Sequence, residues 1–467
     1  MRFNSVIAII VVSALAASAG AFPTPVGIYS NLAGHPTNVV PGLGISFNPG
    51  TGTQFDRPYR SADGTKWILV ANANTGNTAT QEVIITGSGT TGTLQAQEGV
   101  TVIEPGRLCD SAGFDQRLSI NNAGNFSFAC SLDGATTDDE VIVKSVGGSL
   151  SISAREGQAI GGLIAGATLG TTLDSQAIDS ANKVSFRTTL TGVPAGQTTA
   201  VLLGDMGSVA AQTGVTMAGN GFTWSTLTAG DMYYSPNGTD WLTHGDTNDP
   251  VTTQDYLGAR NNSTVLFTEG TSPGAGMNGW TLTNAEIFMS PDGAGWISRG
   301  QVATSLDDFI SVNGTVVAKT GDQVPGAPPG EFYDDAAFGA GFFHMAMNNQ
   351  GQYTFGSVTN SANLDANAVI TYFDGVNFST ILREGDPVDL NGNGLLDDNV
   401  YLSVFNDFDG FLSEDGYFYF FADLRDNPAS PFTNVGQAFM RVQVPEPATM
   451  GLLAIGALLL GRRRSKR

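Results

Sequence analysis

Histidine, cysteine and basic side chains are scarce in this chain. Three histidines and two cysteines in 467 residues leave little material for metal or general-base chemistry. His35, His244 and His344 share no meaningful spacing, and no H-E-x-x-H, G-x-S-x-G or G-x-x-x-x-G-K-[ST] pattern occurs. Aspartate and glutamate are plentiful, but abundance alone does not single out an acid and a base, so no catalytic residue is nominated. Lysine and arginine total 21 against 43 acidic residues. A surface of that sign repels nucleic acid and anionic lipid, which excludes nucleic-acid partners and favours solubility. Sustained helical periodicity is also missing outside the two ends.

Glycine is what the chain has most visibly, with 60 residues among many Thr, Asn and Asp. Such a composition argues for short strands joined by tight turns. A small-residue turn followed by an apolar strand recurs seven times: SADGTKWILV, NNAGNFSFAC, DSANKVSFRT, SPNGTDWLTH, SPDGAGWISR, NNQGQYTFGS and SEDGYFYFFA. The turn residues are Gly64, Gly124, Asn182, Gly238, Gly293, Gly351 and Gly416, spaced 55 to 65 apart. Glycine or asparagine there supplies the positive φ of a hairpin turn. A second marker ends at Gly99, Gly157, Gly214, Gly270, Gly321 and Gly385, preceded by strand-like runs such as EVIIT and TAVLL. Each unit therefore reads as about four strands in up-and-down order.

The seventh unit stops before its second marker. The N-terminal GIYSNLAGHPTNVVPG places Gly34 where that marker belongs, so a strand near 26–32 completes the last sheet. Sharing one sheet between the two ends predicts an all-β, seven-bladed β-propeller over residues 22–444. The alternatives are an open β-solenoid or tandem β-sandwiches, which need no such complementarity.

Both ends carry sorting features. Arg2, the apolar run 6–15 and the small residues 16–21 make a secretory signal peptide over 1–21, cut by signal peptidase after Ala19 or Ala21. The apolar run is too short for a permanent anchor. At the other end Pro445, Glu446 and Pro447 precede the apolar run 450–460 and then Arg462, Arg463, Arg464, Lys466 and Arg467. Basic residues there stay on the cytoplasmic side, which predicts transient inner-membrane anchoring by a short transmembrane helix; the alternative is an ordinary membrane anchor. Without its ends the chain has 21 − 6 = 15 basic residues against 43 acidic ones, a net charge near −28.

Residues 445–467 resemble the PEP-CTERM sorting signal, in which Pro-Glu-Pro, an apolar segment and a basic end are recognised by an exosortase. That resemblance implies export, exosortase processing, and display at the cell surface or in the extracellular matrix, commonly linked to exopolysaccharide. The N-x-x-G-x-x-x-F pattern in NNAGNFSF and NNQGQYTF resembles tandem-repeat surface proteins with interchangeable C-terminal anchors.

Three features invite local chemistry. Asp389, Asn391, Asn393, Leu395 (through its carbonyl), Asp397 and Asp398 stand at the positions of an EF-hand-type calcium loop, with Val400 where the bidentate Glu is expected. A structural Ca²⁺ site and a solvated Asn/Gly turn are the two readings. Cys109 and Cys130 flank one hairpin, and export favours a disulfide over two buried thiols. Trp67, Trp241 and Trp296 sit three residues after their turn glycine, whereas Phe126 and Tyr353 sit two after. Alternation then puts the tryptophans on the opposite face unless a bulge intervenes, as sugar platforms or as packing between blades.

The expected function is a non-enzymatic surface or matrix protein that binds or accompanies exopolysaccharide. The alternative is a glycan-acting propeller enzyme, a hydrolase or lyase with its site in the central channel.

Overall fold

Every turn sequence forms a hairpin between the first and second strands of a four-stranded antiparallel unit. The computed structural model describes residues 23–445 except 51–52, 115–116, 229–231, 274–276, 278, 303–306 and 335–340. The signal-peptide region, Glu446, Pro447 and the rest of the tail lie outside the described residues.

Blade 1 comprises Tyr59–Arg60, Trp67–Asn72, Glu82–Ser88 and Thr91–Gln97. In blade 2 the first strand is split into Arg107–Phe114 and Ser119–Ile120, followed by Phe126–Leu132, Glu140–Val146 and Ser149–Arg155, with Val102–Glu104 added alongside. Blade 3 holds Thr168–Ile178, Val184–Thr191, Thr199–Leu203 and Ser208–Gln212; blade 4 holds Tyr233–Tyr234, Trp241–Asp246, Tyr256–Arg260 and Thr264–Thr268. Blade 5 holds Trp280–Met289, Trp296–Val302, Asp308–Val312 and Thr315–Lys319. Blade 6 holds Phe342–Met347, Tyr353–Val358, Ala368–Phe373 and Phe378–Arg383. Blade 7 takes Tyr401–Leu412, Tyr417–Arg425 and Asn434–Gln443 from one end of the chain and Val26–Ser30 from the other. Val26 pairs with Arg441 and Ser30 with Ala438, which closes the ring. The chain is a seven-bladed all-β propeller.

The second marker has a mechanical role. Glu98 donates its amide to the Glu82 carbonyl at 3.0 Å, and its carboxylate accepts the Glu82 amide at 3.2 Å. Thr213 clamps Thr199 and Thr320 clamps Asp308 in the same reciprocal way. Each clamp ties the end of the outer strand to the start of the third. In blade 7 the clamp is Asn31 on Gln437, with the Asn31 side chain accepting at 2.7 Å. The equivalent of the marker glycine is therefore Leu32, two residues before Gly34; the chain turns there through a bond from the His35 amide to the Leu32 carbonyl.

The core lies between blades rather than within them. Trp67, Leu69 and Ala71 of blade 1 pack against Phe411, Tyr419, Phe421 and Phe439 of blade 7. Phe126 and Phe128 of blade 2 pack against Ile68, Val70 and Ile84 of blade 1. Both sets thus face the preceding blade, which corrects the expectation of opposite faces. The cause is turn length. Ser61 donates to the Lys66 carbonyl five residues on, as Ser235 does to Asp240 and Ser290 to Gly295. Asn121 donates to Asn125 only four on, as Asn348 does to Gln352. The extra turn residue restores the phase of the tryptophans. Trp67 is only 1% exposed, with its ring 5.2 Å from that of Phe439, so it is packing and not a platform.

Candidate functional site

The first strands of all seven blades surround the propeller axis and end at the hairpin turns, so the turns gather round one mouth of a central channel. The cavity there holds roughly 270 Å³. Its described lining includes Arg57, Tyr59, Arg60, Arg117, Tyr233 and Phe288, with Met232, Met289, Met345 and Met347 from blades 4 to 6. Asn121, Asn122 and Gln176 add amide groups.

A belt of hydrogen bonds runs round this mouth from blade to blade. The Asp63 amide donates to the Asn122 side chain at 3.0 Å, joining blades 1 and 2. Asn121 Nδ2 reaches the Asp179 carbonyl and Asn182 Oδ1, both at 2.9 Å. Ser180 donates to the Pro236 carbonyl at 2.7 Å, and Tyr233 donates its hydroxyl to the Pro291 carbonyl at 2.8 Å. The Asp292 amide donates to Asn349 Oδ1 at 2.8 Å, and the Asn349 amide to Glu414 at 2.9 Å. Arg60 bonds Glu414 and the Leu412 carbonyl, which returns the belt to blade 1. The N-N-x-G sequence thereby acquires a physical meaning. Asn121 and Asn348 each cap their own turn and reach forward, while Asn122 and Asn349 accept from the blade behind.

Charges at the mouth are held by neighbours. The Arg57 guanidinium lies 5.1 Å from the Tyr59 ring centre and 4.9 Å from that of Phe288, spanning from blade 1 to blade 5. Arg117 stands 4.0 Å from Asp174, which also binds Arg187 at 2.6 Å. Burial alone would raise the Asp63 carboxyl, but donation from Ser61 and Thr65 outweighs it and keeps Asp63 below its usual value. His344, buried behind the lining and facing the positive fields of Arg57 and Arg299, is pushed down to about 3 and stays neutral.

The residues singled out by sequence lie elsewhere. Loop 389–398 sits against the N-terminal strand: Gly27 donates to the Asp389 carbonyl at 3.0 Å, and Asp389 to the Pro25 carbonyl at 3.1 Å. The Asp389, Asn391 and Asn393 side-chain oxygens each accept loop amides. Asp398 is committed elsewhere, accepting from Leu390 and Asn391 amides, Asn391 Nδ2 at 2.6 Å and His35 at 3.2 Å. Burial would raise its carboxyl, but those donors hold it below the usual value. The remaining oxygens of the loop are those of Asp389, Asn391, Asn393, the Leu395 carbonyl and Asp397, the last of which accepts from Asn393 at 3.2 Å; among the described residues no group of three or more His, Cys, Asp or Glu side chains is placed to hold a metal ion. Cys109 and Cys130 form a disulfide in blade 2, with Cα atoms 5.9 Å apart. Pro445 stands two residues after the last strand. Among the described residues no helix is long and apolar enough to cross a membrane.

Sequence reading missed the channel arginines and tyrosines. The available signal was position: RPYR, RLSI and MYY stand immediately before a turn marker, where a first strand must face the axis.

Closed by its own N-terminal strand and hollow along its axis, the molecule is of the β-propeller class. The chain belongs to the family of unknown function DUF7453, whose model matches residues 26–444, and the PEP-CTERM protein-sorting motif matches residues 443–466. It is therefore an exosortase-sorted, exported protein. No curated protein matches the chain. Similar solved structures include the Dos1 propeller, at 10% identity and a TM-score of 0.39, covering 91% of this chain and 95% of that one. The Cps50 (Swd1) β-propeller domain of Myceliophteria thermophila has 10% identity and a TM-score of 0.37, covering 89% and 100%. The β-propeller domain of the Trilobed protease from Pyrococcus furiosus has 7% identity and a TM-score of 0.40, covering 82% and 97%.

Proposed function

We propose that this protein is a non-enzymatic surface or matrix component that binds acidic exopolysaccharide at the channel mouth. It would belong with surface proteins whose repeat domains carry interchangeable anchors, released first by signal peptidase and later by the exosortase. The observation that carries the reading is the described lining: Arg57 and Arg117 beside the inner strands, with Tyr59, Tyr233 and Tyr234 on them, Arg60 held by Glu414, and amides at the rim. Guanidinium groups match sugar carboxylates, and phenol rings offer an apolar face with a polar tip. Cleaving a glycan would call for two carboxyl groups flanking the bond, whereas the described lining offers guanidinium, phenol, amide and thioether groups.

The test is retention of the mature domain on uronate-rich and neutral polysaccharides. Arg117→Met should weaken binding to the acidic polymer about tenfold, as loss of a charge-assisted contact does. Equal, negligible retention on all polymers would defeat the binding reading, and release of new reducing or unsaturated ends would defeat the non-enzymatic one. Loop 389–398 is proposed as a weak structural calcium site that stiffens the seam beside the N-terminal strand. Millimolar calcium should raise the melting temperature, and Asp389→Asn should abolish the rise; indifference to calcium and chelator would remove the site.

A further inference from the structure

Both sorting segments leave the propeller on one side. Val444 donates its amide to the carbonyl of Gly416, a turn residue of the channel mouth, at 2.9 Å. Gln443, the last strand residue, pairs with Tyr417 immediately after that turn. At the other terminus Val26 pairs with Arg441, close to the same end of the same strand. Pro25 is already fixed by its bond to Asp389. The first strand thus begins a few residues beyond the expected signal-peptide cut, and the last ends at Gln443, two residues before Pro445.

The connections are short. From Val444 to Met450, where the apolar run begins, an extended chain spans at most about 20 Å. From Ala21 to Val26 it spans at most about 18 Å. Exposed residues of the turns, such as Ala123 and Ala181, therefore lie on the side from which both tethers run, whereas loops between second and third strands, such as that of Ala362, lie on the opposite side.

We propose that the propeller folds with its channel mouth toward the membrane, and that the sorting enzyme must approach that turn-bearing face to reach Pro445–Pro447. The proposal rests on the reading of the tail as a transient membrane tether. The mouth is then shielded while the tail remains and is exposed once it is removed. The short tether alone sets the orientation.

The experiment uses the full-length chain in host cells with and without the exosortase. Ala123→Cys or Ala181→Cys marks the turn face, and Ala362→Cys marks the opposite face. The native cysteines are disulfide-bonded and buried, so each variant presents one reactive thiol. Modification by a bulky, membrane-impermeant polyethylene-glycol maleimide is followed on spheroplasts. In the unprocessed protein the turn-face thiols should react several-fold more slowly than the opposite-face thiol; after processing the rates should converge. Inserting a flexible twelve-residue linker between Val444 and Pro445 should also remove the difference. Equal rates in a membrane-bound precursor would overturn the orientation. A precursor that fractionates away from the membrane would overturn the tether reading, and the proposal with it.

Discussion

Blades 2 and 7 solve the same problem by opposite means. Blade 2 is contiguous in sequence but has a broken first strand, and the Cys109–Cys130 bond ties that strand to its neighbour. Blade 7 has unbroken strands but is assembled from residues more than 400 positions apart, as the Asn31–Gln437 contact with its separation of 406 shows. It uses no covalent link; a strand, a clamp, the bonds of Gly27 and Pro25 to Asp389 and the His35–Asp398 contact hold it. A local defect is repaired by a bond closing a short loop; a global closure is made by a buried strand. The two should therefore fail differently.

The largest effect is expected from removing residues 23–32. That deletion exposes the strand edge of Asn434–Gln443 and takes away buried Ile28 and Tyr29. The loss should approach the whole ~5–15 kcal/mol of a domain's stability. Size-exclusion chromatography should show association, and a synthetic peptide of residues 22–34 should restore a cooperative melt. A monomeric, normally melting deletion variant would show that blade 7 does not need its fourth strand.

Replacing both cysteines by alanine should cost about 2–4 kcal/mol, as expected for a closed loop of this size, while leaving the ring closed. Urea titration measures the loss, and unchanged hydrodynamic radius distinguishes it from the strand deletion. Next in size, His35→Ala removes one donor to half-buried Asp398 and should cost about 1 kcal/mol. Its effect should vanish in the strand-deleted chain, which a double-mutant cycle checks.

The smallest effect concerns pH. Burial pushes Asp386, at the entrance to blade 7, up to about 6 despite donation from the Arg383 amide and the pull of the Arg383 charge. The folded state thus holds this proton more tightly than the unfolded chain does. Its stabilisation is complete below the ordinary carboxylate value of about 3.9 and fades as pH rises through about 6. Asp386→Asn should therefore gain melting temperature relative to wild type between pH 4 and pH 7. A constant difference over that range would show that the carboxyl ionises freely.

The comparison also explains what was legible in the sequence. Blade closure was readable because a missing marker at one end and a surplus strand at the other are both visible as pattern. The positions of the turns were readable because glycine and asparagine mark positive φ. The phase of Trp67, Trp241 and Trp296 was not, since the same S-x-[DN]-G residues close a five-residue turn at Ser61, Ser235 and Ser290 and a four-residue turn at Ser413. The closing clamp was placed two residues late, because Asn31 does with an amide what Glu98 does with a carboxylate and Thr213 with a hydroxyl. Convergence of Arg57, Arg60 and Arg117 on one axis is set by blade radius and stagger, which no local pattern records.

One contact in the belt skips a blade. Asn349 of blade 6 donates its side-chain amide to the Ala62 carbonyl of blade 1 at 2.9 Å, passing the turn of blade 7. The walls of the seventh position are thus fastened to each other as well as to their occupant. Blade 7 then behaves as a keystone dropped into an arch whose span is already gauged, so its late arrival, waiting on two distant chain ends, need not leave the arch gaping.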